Sequence, residues 1–118
     1  MPRCRKYVDA GDWTNQFVGV IQHEDLRSEM AVLLHEVVEM MLCRYYGIPY
    51  QEVDRDDLAV IAGTKKLRQC RYHKHHKTAL KIERVFCEAL GLSWHEHDRN
   101  TRRALKAQER LEGRVGLS

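Results

Sequence analysis

Leu33-Leu34-His35-Glu36-Val37-Val38-Glu39-Met40-Met41 stands in the middle of a run of good helix formers from Asp25 to Tyr46, and its reading decides the fold. Asp25 is placed to cap that run, Glu29 falls in the early turns, where an acid suits the helix dipole, and Gly47 is placed to end it. The strongly apolar part, Met30 to Cys43, is broken by His35, Glu36 and Glu39, so it falls short of the roughly 20 apolar residues that cross a bilayer.

Working toward the C-terminus, Pro49 restarts the chain and Gln51 to Ala62 reads as a second helix, acidic at its start and followed by Gly63. A basic connection leads into a third helix, Tyr72 to Leu90, closed by Gly91. Ser93-x-x-Glu96 is a capping box that opens a fourth, strongly polar helix running to about Glu112, before Gly113. Toward the N-terminus, Gly11-Asp12-Trp13 reads as an irregular start, and Gln16 to Ile21 as a short strand. Its partner is open: residues before Asp9, or no strand at all, with the segment lying extended on the helices. The expectation is a mainly α fold, about four helices in one small domain over residues 1–118. Residues 1–23 form an irregular N-terminus with room for a short strand or hairpin, 24–92 a helical core, and 93–113 the polar C-terminal helix.

A chain of 118 residues that is 43% hydrophobic fits one core, not two. No apolar stretch of a secretory signal follows the first basic residues, since Asp9, Asp12 and Asn15 arrive instead, which points to a cytoplasmic protein without a membrane partner. Cys4, Cys43, Cys70 and Cys87 form no Cys-x-x-Cys pair, so reduced thiols are expected. Cys70-x-x-His73 has a ligand-like spacing, but no second pair completes a closed zinc site. The net charge of +3 permits contact with phosphates without demanding it.

The chemistry begins in the first helix. At about 100° per residue, His35 and Glu39 lie one turn apart on one face and Glu36 at its edge, so an imidazole and two carboxylates can converge. This is the spacing logic of His-Glu-x-x-His metallohydrolases, in which the outer residues bind a metal and the inner Glu activates its water. Here Glu39 replaces the final His, which keeps zinc acceptable and widens the choice toward manganese, magnesium or iron. A solvated stripe is the competing reading, because Asp25, Ser28 and Glu29 project to the same side; Val32, Cys43 and Tyr46 interrupt it with residues that prefer burial.

The third helix brings His73, His76, Ala79, Glu83 and Cys87 to one side and Lys74, Lys77, Lys81 and Arg84 to another. His76 is the candidate third ligand. Glu83, two turns away, would orient a ligand or hold a second ion. Asp54 and Asp57 share a helical face and could add oxygen ligands, while Asp56 reads as an ordinary dipole partner. His95 and His97 read as surface residues.

Taken together, these motifs from Val32 to Trp94, with Leu42-Cys43, Gly47-Ile48, Val53-Asp54, Tyr72-His73 and Ile82-Glu83-Arg84, resemble a family of small uncharacterised proteins encoded by bacteriophages and prophages. The resemblance implies that His35, Glu36, Glu39, Asp54, Asp57, His76 and Glu83 form one recurring constellation, working in the host cytoplasm, and it carries no established activity. The chain departs from that pattern at Asp56 and in its more basic connection. The first helix is also similar to the active-site helix of zincin-type metallopeptidases, with Glu39 as the departure. Glu36, Glu39, Asp54 and Asp57 are similar to the carboxylates of all-α nucleotide pyrophosphohydrolases, which hold magnesium.

The leading expectation is a metal-dependent hydrolase of unknown substrate, with His35, Glu39 and His76 as ligands and Glu36 as general base. The alternative is a non-catalytic protein that binds a host protein or nucleic acid, with Lys65, Lys66, Arg68 and Arg71 as phosphate contacts. Self-association through the polar fourth helix is a further possibility, against the commoner case of a loosely attached, exposed helix.

Overall fold

The computed structural model describes residues 10–14 and 16–116, with side chains as far as Glu112. Helix α1, Leu26–Tyr45, begins where expected: Asp25 is extended, and its side chain accepts a hydrogen bond from the Arg27 backbone N–H at 2.9 Å. Glu29, one turn in, accepts from the backbone N–H of His23 at 2.8 Å and so fixes the incoming chain. At the other end Gly47 takes a left-handed φ of 75°. Its N–H bonds to the Arg44 carbonyl, and that of Ile48 to the Cys43 carbonyl, which together make a Schellman closure. Cys43 and Ile48 are buried in the same cluster, so the closure also seals the core.

Helix α2 spans Tyr50–Ile61, a short 3₁₀ turn spans Leu67–Gln69, α3 spans His73–Ala89 and α4 spans Trp94–Gly116. Helix α3 ends as α1 does: Gly91 has φ 71°, and the Leu92 N–H reaches the Cys87 carbonyl at 2.9 Å. Leu92 and Cys87 then pack with Ala31 in a second buried cluster. The Ser93 hydroxyl caps α4 by accepting from the Glu96 N–H at 3.1 Å, while the Glu96 carboxylate lies 3.8 Å from Arg27. The helix continues through Gly113, where the sequence had suggested a stop.

The described residues ahead of α1 form a hairpin that their composition does not suggest. Strand β1, Gly11–Trp13, pairs antiparallel with β2, Val18–Val20, in the register Gly11↔Val20, Asp12↔Gly19 and Trp13↔Val18. The expected strand is therefore present in shortened form, and its partner is the Gly-Asp-Trp segment that read as irregular. Gly and Asp are poor strand formers, and packing on α1 overrides that preference. The turn between the strands is built on Thr14, whose hydroxyl accepts from the backbone N–H groups of Gln16 and Phe17. The alternative pairing, with residues before Asp9, lies outside the described residues.

Helices α1 and α3 run antiparallel along most of their lengths, Glu39 opposite His76 and His35 opposite Glu83. Toward the C-terminal end of α1, Trp13, Cys43, Ile48, Val53, Cys70 and Tyr72 form the larger apolar cluster; toward its N-terminal end lie Ala31, Cys87 and Leu92. Between them α1 turns His35 and Glu39 toward α3, and nearer its N-terminus the buried Ser28 faces α4, while Leu26, Met30 and Met41 are exposed. The polar stripe of α1 is thus the inward one, and the solvated reading of it is set aside. Cys43, Cys70 and Cys87 are free thiols in the core, and burial pushes Cys43 up to about 12 and Cys87 to about 11. Among the described residues no helix is long and apolar enough to cross a membrane.

Replacing Gly47 by Ala is expected to destabilise the protein by about 1 kcal/mol, because a Cβ is strained in the left-handed conformation that the closure needs. Urea unfolding followed by circular dichroism checks this, and an unchanged midpoint would contradict the assigned role of the closure.

Candidate metal centre

Helix α1 presents His35 and Glu39 one turn apart, and α3 brings His76 against them. The His35 Nε2 lies 3.4 Å from Glu39 Oε2, and His76 Nδ1 lies 2.9 Å from the same oxygen. The two imidazole rings stand edge to face with centroids 4.9 Å apart. One ligand atom from each of the three residues falls within 4.8 Å of the others, so the group could hold a metal ion. Metal–ligand bonds of about 2.0–2.1 Å in tetrahedral geometry place ligand atoms about 3.4 Å apart, and the His35–Glu39 pair already has that spacing.

His35 and Glu39 are each held from behind. Glu83 Oε1 lies 2.8 Å from His35 Nδ1, and since a carboxylate only accepts, Nδ1 carries the proton and Nε2 faces Glu39. The Trp13 indole N–H donates to Glu39 Oε1 at 3.1 Å and leaves Oε2 to the histidines. The β-hairpin therefore completes the site by delivering an indole. His35, Glu39 and Glu83 are all more than nine-tenths buried, whereas the His76 side chain is 28% exposed and forms the open side.

Glu36 stands beside this group, its Oε2 3.8 Å from His35 Nε2. Gly11 of the hairpin backs onto it so closely that a Cβ there would come within 2.6 Å of Glu36 Cγ. These residues line a cleft of about 330 Å³, whose walls include Asp12, Val32, Val60, Ile61, Leu67 and Tyr72. Asp57 also lines it and accepts a hydrogen bond from the Tyr72 hydroxyl, which drives the tyrosine well above its ordinary range by burial and by the carboxylate beside it.

Of the residues singled out in the sequence, His35, Glu36, Glu39, Asp57, His76 and Glu83 meet at this cleft, and Asp54 stands outside its lining. Asp56, read as a dipole partner, is instead a buried acid paired with Lys65 at 3.1 Å. Arg71 makes a two-pronged pair with Glu52 at 2.8 and 2.5 Å. Lys65 and Arg71 are therefore engaged within the chain, while Lys66 and Arg68 are exposed. Two residues escaped the sequence reading. Trp13 is one: nothing local to it named an acceptor for its N–H. His97 is the other, 3% exposed against the surface position expected of it, with Nε2 bonded to Glu83 Oε2. Its signal was present in the repeat His97, Thr101, Ala104, which marks the inward side of α4.

Burial alone would lower the pKa of His35, but its bonds to Glu39 and Glu83 and the nearby Glu36 outweigh that and hold it at about 10. Burial would raise Glu39, and the bonds to His35 and His76 pull it down to about 2. A raised histidine stabilises the fold fully below its unfolded value near 6.5 and loses that contribution as pH climbs toward 10. A depressed glutamate stabilises above its unfolded value near 4.5 and loses it as pH falls toward 2. In the presence of a chelator, the melting temperature is therefore expected to be highest between about pH 4.5 and 6.5 and to fall by pH 9. A melting temperature that rises steadily from pH 6 to 9 would contradict this pairing.

No family model matches the chain, and neither a curated protein nor a solved structure does. What the site does is accordingly read from its residues.

Proposed function

We propose that this protein is a metal-dependent hydrolase in which His35, Glu39 and His76 bind one divalent ion and Glu36 is the general base. The observation that carries the reading is the convergence of two imidazoles and a carboxylate from separate helices at the edge of a cleft, with His35 and Glu39 each fixed by a further partner. Two His and one Glu are a donor set of catalytic zinc, three protein ligands leaving a position for water or substrate, so zinc is preferred over manganese, magnesium or iron. An ion there would supply Lewis-acid activation of water and polarisation of the bond to be cleaved.

The chain's own residues carry the remaining steps. Glu83 keeps the Nδ1 proton of His35, so that Nε2 is the ligand atom, and Trp13 occupies one oxygen of Glu39, so that the other is the ligand atom. Glu36, held beside them by the hairpin, accepts the proton of the attacking water on Oε2 and returns it to the leaving group. Val60, Ile61 and Leu67 give the cleft an apolar wall against which a substrate can lie. The setting that accords with the resemblance is the cytoplasm of a bacterium carrying the phage gene. The nucleic-acid alternative draws less support, since Lys65 and Arg71 of the basic run are paired with Asp56 and Glu52.

Elemental analysis of purified protein is expected to give about one equivalent of zinc, lost in His35→Ala. Glu36→Gln is expected to keep the metal and, on any substrate found by screening peptides, esters and nucleotides, to lower turnover by about 10²–10⁴-fold. Uptake should strengthen from pH 6 to 8, because the metal must displace a proton from His35. Absence of metal, with none taken up on titration, would overturn the proposal.

A further inference from the structure

Beyond Glu83 the polar chain does not stop. Glu83 is clasped at both oxygens, by His35 Nδ1 and by His97 Nε2. His97 Nδ1 lies 3.0 Å from the Ser28 hydroxyl, which accepts from the Asn100 side-chain amide at 3.0 Å. Asn100 also donates to Asp25 Oδ2 at 3.2 Å. Ser28, Glu83 and His97 are all more than nine-tenths buried, and the Trp94 ring covers His97 with centroids 5.2 Å apart. Three helices meet in this chain: Ser28 and His35 from α1, Glu83 from α3, and His97 and Asn100 from α4.

We infer that His97 and Ser28 are positioning residues of the proposed metal centre, acting through Glu83 to hold His35 with Nδ1 protonated and Nε2 turned toward the place of the ion. This rests on the metal reading above. The proton positions follow from the groups present. A carboxylate has no proton to give, so both imidazole nitrogens facing Glu83 are N–H donors. The Ser28 hydroxyl accepts from Asn100 and keeps a second lone pair and its own proton, so it can partner His97 Nδ1 as donor or as acceptor. Donors thus converge on Glu83 from both sides, His97 Nε2–H on one oxygen and His35 Nδ1–H on the other, with Ser28 behind His97. Without His97, one Glu83 oxygen in a buried interface loses its donor, and the carboxylate is free to turn away from His35. It follows that the seating of α4 and the affinity for the metal are linked, although no residue of α4 is a ligand.

The test uses the full chain with His97→Leu, which removes the donor, and His97→Gln, whose amide N–H can replace it. Zinc affinity is measured by competition with a chelator, and the fold is checked by circular dichroism. His97→Leu is expected to weaken zinc binding about 10–100-fold, and His97→Gln to restore most of the loss. A folded His97→Leu that binds zinc as tightly as the parent would overturn the inference. If His97→Leu does not fold, Ser28→Ala is read in its place, with weakening expected and unchanged affinity counting against. A second readout needs no metal: the His35 Nδ1 proton, bonded to Glu83, should give a downfield, slowly exchanging resonance that disappears in His97→Leu. Should the parent bind no zinc, the metal reading fails alone, and persistence or loss of that resonance in the variant still decides the positioning role.

Discussion

Glu39 is a carboxylate buried between two histidines, and its need for partners governs how the surrounding elements are arranged. An ionised group in that setting carries a desolvation cost of several kcal/mol unless every lone pair is used. His35 comes from its own helix, His76 requires α3 to lie antiparallel at the right height, and Trp13 requires a hairpin folded back over α1. The same demand passes to Glu83, which is answered by His35 and His97 and so draws α4 onto the pair. A plain apolar interface between α1 and α3 would have met none of these demands and would commonly be as stable or more so. The apolar core of this small domain is divided around that band, and the proposed metal centre lies within it.

Much of the helical architecture is legible in the residues that begin and end each helix. Asp25 and Ser93 cap, Gly47 and Gly91 close, and the structure places the α1 and α3 boundaries within a residue or two of the expected ones. These signals are local: a cap acts within one turn and a glycine on its own φ. The hairpin shows where such reasoning fails. Gly11-Asp12-Trp13 has the composition of a loop, and only its packing on α1 and the Thr14 turn make it a strand.

Helical spacing brought His35, Glu36 and Glu39 together on paper, and a second helix supplied His76 and Glu83. Those groupings depend on a periodicity that the sequence carries. Trp13 and His97 depend on tertiary contact across 26 and 14 residues, and for them a one-dimensional reading has no measure. His97 was misjudged because it follows the exposed His95 in a polar helix, although its register with Thr101 and Ala104 faces inward. Asp56 was misjudged for the opposite reason: an acid near a helix start is commonly a dipole partner, and here Asp56 shares the one buried side of α2 with Val53 and pairs with Lys65.

X-ray absorption at the zinc edge of the metal-loaded protein tests the central claim most directly. The account predicts a first shell of nitrogen and oxygen atoms at about 2.0–2.1 Å, with the multiple-scattering signature of two imidazoles and no sulfur. A shell containing sulfur at about 2.3 Å, or one without imidazole, would place the metal elsewhere and contradict it.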